Sequence, residues 1–471
     1  MDTDGIHVER DKINLSSVPI QVKEVIAILE RNSFKAYLVG GVVRDIFMGK
    51  KPNDYDIATS ATPTQVLQFF PGALPTGEKH GTVTVFNGGQ GMEVTTLRRE
   101  GKYRDHRRPD RVEFITDLKE DLSRRDFTIN ALAMGPDGTL YDYFGGLQDI
   151  RDGVIRAVGD PRKRFYEDAL RMMRAIRFSC QTGFSIEPNT LECIKENSRL
   201  LARVSAERVQ QEFNAILLSD LSHLGILLIY VLGLMESIIP ELAEWIQLEN
   251  GMGRGKLFSC IQDVLKLTPA KLTIRLAVLL CDLGKNINSV EAPGENSCNN
   301  PVYGSEITGE VLRRLKYDRK TIKSVTSLVN NCGAEWIRER KEIKRVMGRM
   351  GTQDFVDLLA LLQARSTVSG DSIGEAEVKK LRQMVVEIIA NKEPYRLKDL
   401  DLNGQDLKKI GIVSGPEMGK VLNKLMDNVL ENPEMNQKQR LLELLQSWKS
   451  NWEWDFKAES RIQNPESRMK K

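Results

Sequence analysis

The stretch Leu38-Val-Gly-Gly-Val-Val-Arg-Asp45, with Asp54-Tyr-Asp56 shortly after it, decides the fold of the amino-terminal part of the chain. The apolar residues Ala36–Val39 predict a short buried strand, and a helix is predicted from about Val42 to Met48. The glycine pair between them lets the backbone approach a phosphate closely, and a helix start offers free N–H groups and a positive dipole. We therefore predict a phosphate cradle at this turn, with a plain tight turn as the alternative.

Paired carboxylates follow on the next predicted strand, Tyr55–Ile57. On one strand, Asp54 and Asp56 would point to the same face. Two like charges that close are costly unless a cation lies between them, and Mg²⁺ takes one or two carboxylates together with substrate phosphates. Asp54 and Asp56 are therefore the candidate metal ligands and catalytic residues, with Gly41 and Arg44 as phosphate contacts. The alternative is a turn or a solvated strand face.

This set of groups suits in-line attack on an α-phosphate. Such a reaction needs one ion that activates a 3′-hydroxyl and a second that steadies the triphosphate. Arg44 falls in the first turn of the predicted helix, where a guanidinium can grip a phosphate through two hydrogen bonds.

The order of predicted elements gives the fold class. Val22–Leu29 predicts a helix, and Thr82–Phe86 and Met92–Leu97 predict strands joined by a glycine-rich hairpin loop. After Pro161, amphipathic helical patterns dominate as far as Trp448. We therefore predict an α+β head, built from a small mixed sheet with helices, followed by an all-α neck, body and tail. The predicted domains are residues 20–150, 151–220, 221–390 and 391–471.

Composition and charge restrict the class of protein. The net charge of +3 is compatible with an RNA ligand but does not decide it. The six cysteines lack CxxC spacing, which favours reduced thiols over disulfides or a zinc site. The apolar stretch Leu224–Leu234 is too short to cross a bilayer, and the first residues lack the organisation of a signal peptide. We expect a cytoplasmic protein with no membrane contact, and the sequence implies no protein partner.

The chain resembles the class II nucleotidyltransferases of the polymerase-β superfamily, which include the CCA-adding tRNA nucleotidyltransferases and the bacterial poly(A) polymerases. The first motif of that family is the quoted stretch with its two aspartates. The other four follow in the family's order at Arg124–Ala131, at Tyr141–Asp149 with Ile155-Arg156, at Glu167–Phe178, and at Arg203–Arg208 with Glu212. The resemblance implies that Arg125 contacts the nucleotide, that the third motif is a hinge, and that the fifth is mainly structural.

The fourth motif places four charged residues three positions apart along a predicted helix, namely Asp168, Arg171, Arg174 and Arg177. A carboxylate accepts from an exocyclic amine, and a guanidinium donates to a ring nitrogen or a carbonyl. Asp168 and Arg171 can thus read the base edges of CTP and ATP as a protein template, and the resemblance assigns them that role. It places Arg174 and Arg177 near the base, ribose or phosphate. The alternative is a surface salt bridge on a basic helix face.

A third carboxylate is usual in this superfamily, and Glu93 is the candidate. Its predicted strand is expected to flank Asp54 and Asp56, although an ordinary polar strand residue is the alternative. Asp126 in the second motif is expected to bond the backbone or an arginine near the hinge.

The segment Arg98–Arg111 carries seven basic and three acidic residues, and its glycine and proline predict a loop. It resembles the flexible loop of CCA-adding and A-adding enzymes, which CC-adding enzymes generally lack. That loop is thought to help the nucleotide pocket change from C to A. A mobile basic loop that touches RNA phosphates is the alternative, and the two roles are compatible.

The predicted function is Mg²⁺-dependent addition of C, C and A to the 3′ end of tRNA, with CTP and ATP as substrates. An A-adding enzyme or a poly(A) polymerase is the alternative, although the latter usually has a strongly basic carboxyl end and Arg461–Lys471 is only modestly basic. A sugar-phosphate or antibiotic nucleotidyltransferase would have little need for the fourth motif. A non-catalytic RNA-binding module would tolerate loss of the paired aspartates.

The segment Arg275–Lys285, followed by Tyr303–Glu306, resembles an HD-type helical domain that has lost its metal ligands. Cys281 stands where a histidine would precede Asp282, and Ser305 stands at the second histidine position. The sequence has no histidine after residue 223, which excludes a histidine-rich metal site in this region. We predict a structural role in supporting the tRNA, without phosphatase activity.

Overall fold

The structure of the protein is a computed structural model that describes residues 17–101, 110–251, 256–283, 301–332, 339–412 and 414–448. The chain forms two compact units, Met1–Arg275 with Glu310–Asp318 and Leu276–Gly309 with Arg319–Lys471. The described strands all belong to the first unit, and the described part of the second is helical. Within these ranges no helix is long and apolar enough to span a membrane.

Eleven short strands are described, in chain order: β1 Ala36–Val39, β2 Asp56–Thr59, β3 Leu74–Gly77, β4 Thr82–Asn87, β5 Gln90–Thr96, β6 Arg98–Glu100, β7 Val112–Phe114, β8 Leu132–Met134, β9 Leu140–Asp142, β10 Val154–Ile155 and β11 Ser185–Ile186. Seven of them form one sheet in the order β3-β4-β5-β2-β1-β8-β9. β6 and β7 form an antiparallel ribbon, and β10 pairs in parallel with β11.

The sheet is mixed, as predicted. β2 is parallel to β5 and antiparallel to β1, and β1 is antiparallel to β8. The strand over Ala36–Val39 coincides with the prediction because it lies inside the sheet, where Leu38 is 1% exposed and an apolar run is required. The parallel pair sets Asp56 opposite Glu93. This register brings together residues from the two strands that carry the predicted carboxylates.

Thirteen of the described α-helices lie wholly in the first unit: α1 Ile20–Arg31, α2 Gly41–Phe47, α3 Pro63–Phe69, α4 Leu118–Ser123, α5 Gly146–Asp152, α6 Pro161–Glu167, α7 Leu170–Thr182, α8 Pro188–Asn197, α9 Ala206–Leu217, α10 Ser222–Val231, α11 Met235–Ile238, α12 Pro240–Gly251 and α13 Lys256–Leu267. α7 packs against α9. Met172, Met173 and Ile176 form the apolar side of the amphipathic pattern of α7, for which burial is expected, and all three are fully buried.

The remaining helices are α14 Leu272–Leu280, α15 Pro301–Arg314, α16 Arg319–Asn331, α17 Arg340–Met350, α18 Thr352–Ser369, α19 Ser372–Ala390, α20 Gly404–Lys409 and α21 Pro416–Glu431, with a further helix over 438–448. In the second unit, α18 packs against α16, α17 and α19 and buries Phe355, Leu358 and Leu361. The predicted fold class, an α+β head followed by helices, is confirmed.

Candidate active site

An acidic cluster lies where β2 begins. Asp56 is the first residue of β2, and burial raises its pKa to about 6, with the charges of Glu93 and Asp54 adding to the rise and that of Arg125 opposing it. Glu93 is exposed and lies on β5, the strand that pairs with β2, as predicted. The like charges that the sequence predicts therefore do act on one another.

The position predicted for Asp54 on the strand is wrong. Pairing of β2 begins at Asp56 with β5 and at Ile57 with β1, so Asp54 lies on the connecting segment before the strand and is exposed. Its neighbour Tyr55 is buried. Asp54 nevertheless lies close enough to raise the pKa of Asp56.

The donor set at this place is all oxygen, which fits a hard divalent cation. Among the described residues, no group of three or more His, Cys, Asp or Glu side chains could hold a metal ion on its own. Two carboxylates completed by phosphate oxygens of a substrate are a usual set for Mg²⁺. The raised pKa of Asp56 marks a carboxylate whose charge a cation would relieve.

The turn before α2 is shaped by Gly40. Its φ of +78° favours glycine, and a Cβ there would lie 2.7 Å from Nη1 of Arg125. Arg44 is the fourth of the seven residues of α2 and belongs to the last turn of this short helix, not to the first turn as predicted, and it is not free. It donates to Asn130 at 2.7 Å and to Asp45 at 2.8 Å.

Arg125 lies under this turn. Its Nη1 donates to the carbonyl of Asn130 at 3.4 Å, and its Nη2 lies 3.8 Å from Asp121. Burial lowers its pKa, while Asp121 and Asp56 act in the opposite direction. Its Nε is buried with no hydrogen-bond partner among the described residues. Such a guanidinium is prepared to bind an anion or a ribose hydroxyl.

Asp168 lies between α6 and α7, and its predicted position on the helix is therefore wrong. Its backbone is extended, with φ −142° and ψ 103°, and its carboxylate accepts from the N–H of Leu170 at 3.1 Å where α7 begins. It also accepts two hydrogen bonds from Arg208, at 2.7 and 3.3 Å. Asp168 thus caps the helix instead of lying on its face.

The three arginines of α7 all bond other groups of the protein. Arg171 is 8% exposed, and it donates to Glu167 at 2.9 Å and to the carbonyl of Arg124 at 2.9 Å. Arg174 donates to Asp126 at 2.7 and 2.8 Å, which confirms the expected role of that aspartate. Arg177 pairs with Glu212 at 2.6 Å. The surface salt bridge between Asp168 and Arg171 that was the alternative is not formed, because Arg171 pairs with Glu167 and Asp168 with Arg208. The base-reading role of these residues stays a prediction.

Sequence analysis missed the partners supplied by α9. Arg208 and Glu212 are four residues apart, so they lie on one face of α9, next to Asp168 and Arg177 respectively. Both belong to the fifth motif, which the resemblance assigned a structural role. Arg208 and Glu212 carry opposite charges one helical turn apart, and the fourth motif carries the complementary charges. This pattern in the sequence could have indicated that the two motifs pair.

The predicted loop over 98–111 begins as a paired strand, because β6 occupies its first three residues and pairs with β7, which starts directly after the predicted loop. Arg98 bonds Glu100 and Arg99 bonds Glu120, so these two cations are not loop residues. Lys102 to Pro109 lie outside the described residues. The prediction for the centre of the loop therefore stays a prediction.

Three family models match the chain. Residues 36–156 match the poly A polymerase head domain, 183–246 a probable RNA and SrmB-binding site of polymerase A, and 303–445 a putative tRNA nucleotidyltransferase domain 2. A CCA-adding enzyme from Ligilactobacillus salivarius is 34% identical over 436 residues, which cover 91% of this chain and 97% of that enzyme. The chain belongs to the CCA-adding enzyme family. It is therefore a nucleotidyltransferase, and the family implies the use of a divalent metal.

Other members of the CCA-adding enzyme family agree. The enzyme of Limosilactobacillus fermentum is 36% identical over 427 residues, covering 89% of this chain and 94% of that enzyme. The structure of the Bacillus stearothermophilus CCA-adding enzyme in complex with CTP superposes with a TM-score of 0.70 and 30% identity, covering 92% and 98% of the two chains. The Thermotoga maritima enzyme complexed with tRNA has a TM-score of 0.55 at 23% identity over 93% and 97%, which supports the fold.

The HD-like region of this family member holds an arginine beside its remaining acid. Arg365 of α18 donates to both carboxylate oxygens of Asp282, at 3.0 and 3.2 Å, and also contacts the sulfur of Cys281. Asp282 is 5% exposed. A cationic side chain thus neutralises the aspartate that an HD-type domain would offer to a metal.

Proposed function

We propose that the protein adds C, C and A to the 3′ end of tRNA from CTP and ATP, without a nucleic-acid template, and releases pyrophosphate. One observation carries the proposal: a single unit holds the carboxylates of Asp54 and Asp56 near Arg125, and it also holds Asp168 and Arg171. Membership of the CCA-adding family over most of the chain supports the same conclusion. The relatives solved with CTP, with ATP and with tRNA support these substrates.

Asp54 and Asp56 would hold Mg²⁺, with Glu93 as the third carboxylate of the catalytic set. The close like charges on Asp56 support this assignment. When bound, Mg²⁺ neutralises charge on the triphosphate and the leaving pyrophosphate and favours ionisation of the primer hydroxyl.

Gly41, Arg44 and Arg125 would bind the triphosphate and ribose. The backbone at Gly40 turns through a conformation that favours glycine, which lets phosphate oxygens approach the N–H of Gly41. Arg125 has an unbonded Nε, and Arg44 already has its orientation fixed by Asn130. A guanidinium that is fixed in advance loses little entropy when it binds a phosphate.

Asp168 and Arg171 would select the base, with Arg174 and Arg177 nearby. Cytosine and adenine both present an exocyclic amine as a donor, whereas uracil and guanine present a carbonyl at that place. A carboxylate accepts from the amine and repels the carbonyl. Each carboxylate oxygen accepts two hydrogen bonds, so Asp168 keeps capacity for a base while Arg208 holds it.

The domain limits stay a prediction. We propose a catalytic head over 20–150, a base-selecting neck over 151–220, a body over 221–390 and an RNA-binding tail over 391–471. The body and tail would hold the tRNA by shape and phosphate contacts. We further propose that the reaction takes place in the cytoplasm. The described cysteines are free thiols, and this proposal is consistent with them.

The test uses the purified protein with Mg²⁺, CTP and ATP and a tRNA that lacks its 3′ CCA. We expect extension by three nucleotides. Asp56→Ala should abolish extension while tRNA binding survives, because the carboxylate acts in chemistry and not in RNA affinity. Asp168→Ala should lose the preference for CTP over UTP and keep tRNA binding. Loss of tRNA binding in Asp56→Ala, or unchanged base preference in Asp168→Ala, would contradict the corresponding assignment.

A further inference from the structure

A buried network of charges joins the β6–β7 ribbon to the second motif. Glu100 is the last residue of β6, and its side chain is only 7% exposed. One of its oxygens accepts from Arg98 at 2.9 Å and from Arg124 at 3.0 Å. These ion pairs differ from ordinary surface contacts, since a buried carboxylate is costly unless it is paired.

Arg124 is held at both its side chain and its backbone. Its guanidinium donates to Oδ1 of Asp121 at 3.0 and 2.7 Å, in addition to its bond with Glu100. Its carbonyl oxygen accepts from Nη2 of Arg171 at 2.9 Å. The side chain of Arg124 therefore fixes the main-chain atom against which Arg171 rests.

The network holds one more positive charge than negative charges. The guanidiniums of Arg98, Arg124 and Arg125 lie around two carboxylates, those of Glu100 and Asp121. Removal of one negative charge would leave three cations around a single acid. Their repulsion would move Arg124, because Glu100 and Asp121 hold its guanidinium in place.

We propose that Glu100 and Arg124 are positioning residues for base selection, acting through Arg171. The inference rests on the proposed function, in which Arg171 reads the base. Selection of a base by hydrogen bonds requires that the donor be placed within a fraction of an ångström. A shift of the Arg124 carbonyl would move the guanidinium of Arg171 and so change the hydrogen bonds that Arg171 can make with a base. Neither residue touches the substrate in this account. Their effect falls on discrimination among nucleotides and not on the chemical step.

The experiment compares Glu100→Gln with a matched control on the facing strand. Glu113 of β7 is half-exposed, and its carboxylate lies 3.7 Å from the guanidinium of Arg99, which is also exposed. Glu113→Gln therefore removes one negative charge from the same ribbon but leaves the buried network intact. The measurement is kcat and KM for CTP and for UTP on tRNA lacking CCA, with the full-length protein. We expect the ratio of kcat/KM for CTP to that for UTP to fall about tenfold in Glu100→Gln and to stay unchanged in Glu113→Gln.

Two further variants keep the test decisive. Glu100→Asp retains the charge and should recover part of the ratio. Arg124→Lys keeps the charge but loses the planar fork, so the ratio should fall in this variant even if Glu100→Gln fails to fold. A purely structural role would lower the rates for both nucleotides equally, together with the melting temperature. Unchanged ratios in the folded variants would overturn the proposal.

Failure of the inference is distinguishable from failure of the proposed function. If the wild-type protein does not extend tRNA, or if Asp168→Ala keeps full base preference, the proposed function or its base-reading pair is wrong. If those two results are as expected and the ratio in Glu100→Gln and Arg124→Lys matches that of the wild type, only the positioning role is wrong.

Discussion

Arg174 donates two hydrogen bonds to a single carboxylate oxygen of Asp126, at 2.8 and 2.7 Å. Burial alone would raise the pKa of Asp126, but the charge and hydrogen bonds of Arg174 lower it to about 2. The pair joins α7 to the second motif. Arg174, which the family resemblance places near the nucleotide, therefore also neutralises the buried carboxylate of Asp126.

Arg174→Ala should lower the free energy of unfolding by about 2–3 kcal/mol at pH 7, since it leaves the charge of Asp126 buried without its partner. The pKa of Asp126 is lowered on folding, so the pair stabilises the fold above about pH 4 and the contribution is lost as the pH falls towards 2. Urea unfolding at several pH values measures both effects.

The matched control for this prediction is Arg162→Ala, which removes an exposed arginine paired with Glu196 at 3.0 Å. That change should lower the free energy of unfolding much less, because both side chains of this pair are exposed to solvent. If the two variants lose the same free energy of unfolding, the buried Arg174–Asp126 pair stabilises the fold no more than an exposed pair does.

Asp56→Asn should stabilise the metal-free protein at pH 8 by about 3 kcal/mol while it abolishes nucleotide addition. The pKa of Asp56 is raised on folding from 3.8 to about 6, so its ionised form opposes folding at neutral pH. The gain should therefore grow between about pH 4 and 6 and stay constant above that range. Urea unfolding in EDTA from pH 4 to 8 gives the profile, with the exposed Asp152→Asn as the control. A gain independent of pH would contradict this account of Asp56.

Gly40→Ala should weaken nucleotide binding more than does an alanine at another glycine whose backbone has a similar positive φ. Its φ of +78° costs an alanine about 1–2 kcal/mol, and the new methyl group would lie 2.7 Å from Nη1 of Arg125. Gly49 has a φ of +69°, and a Cβ added there would meet nothing within 4 Å, so Gly49→Ala carries the strain without the clash. The KM for CTP should rise in Gly40→Ala and not in Gly49→Ala. Equal KM values in the two variants would mean that Arg125 does not bind the nucleotide.

Arg365→Met should lower the melting temperature by several degrees without changing nucleotide addition at temperatures well below the transition. The substitution leaves the buried Asp282 without the guanidinium that neutralises it. Arg345→Met, which removes a more exposed pair with Asp427, should change the melting temperature little. Phosphate release from cyclic or mononucleotides by the wild-type protein would contradict the structural role of this region.

The sequence predicts the parts of this fold that depend on local pattern. The apolar run at Ala36–Val39 and the buried methionines of α7 require only periodicity, and both are found where the pattern placed them. Periodicity does not locate the end of a strand or helix. Asp54 and Asp168 each lie two residues before the element that is predicted to carry them, because the pairing of β2 and the capping at α7 depend on distant or backbone contacts.

The partners of the candidate site residues were harder to predict, since they come from remote parts of the chain. Arg44 bonds Asn130, and Asp168 bonds Arg208. Spacing along the sequence carries no information about such contacts. The five motifs identify the chemistry, but the packing of α7 against α9 determines which charges meet.

The most direct test of the central claim is the sequence of the product formed with all four nucleotides present. The purified protein is incubated with Mg²⁺ and two tRNAs, one lacking CCA and one ending in CC, and the 3′ ends are sequenced. The account predicts CCA on the first tRNA and a single A on the second, with no further addition. A single A on the second tRNA alone, or a long run of A on either, would contradict it.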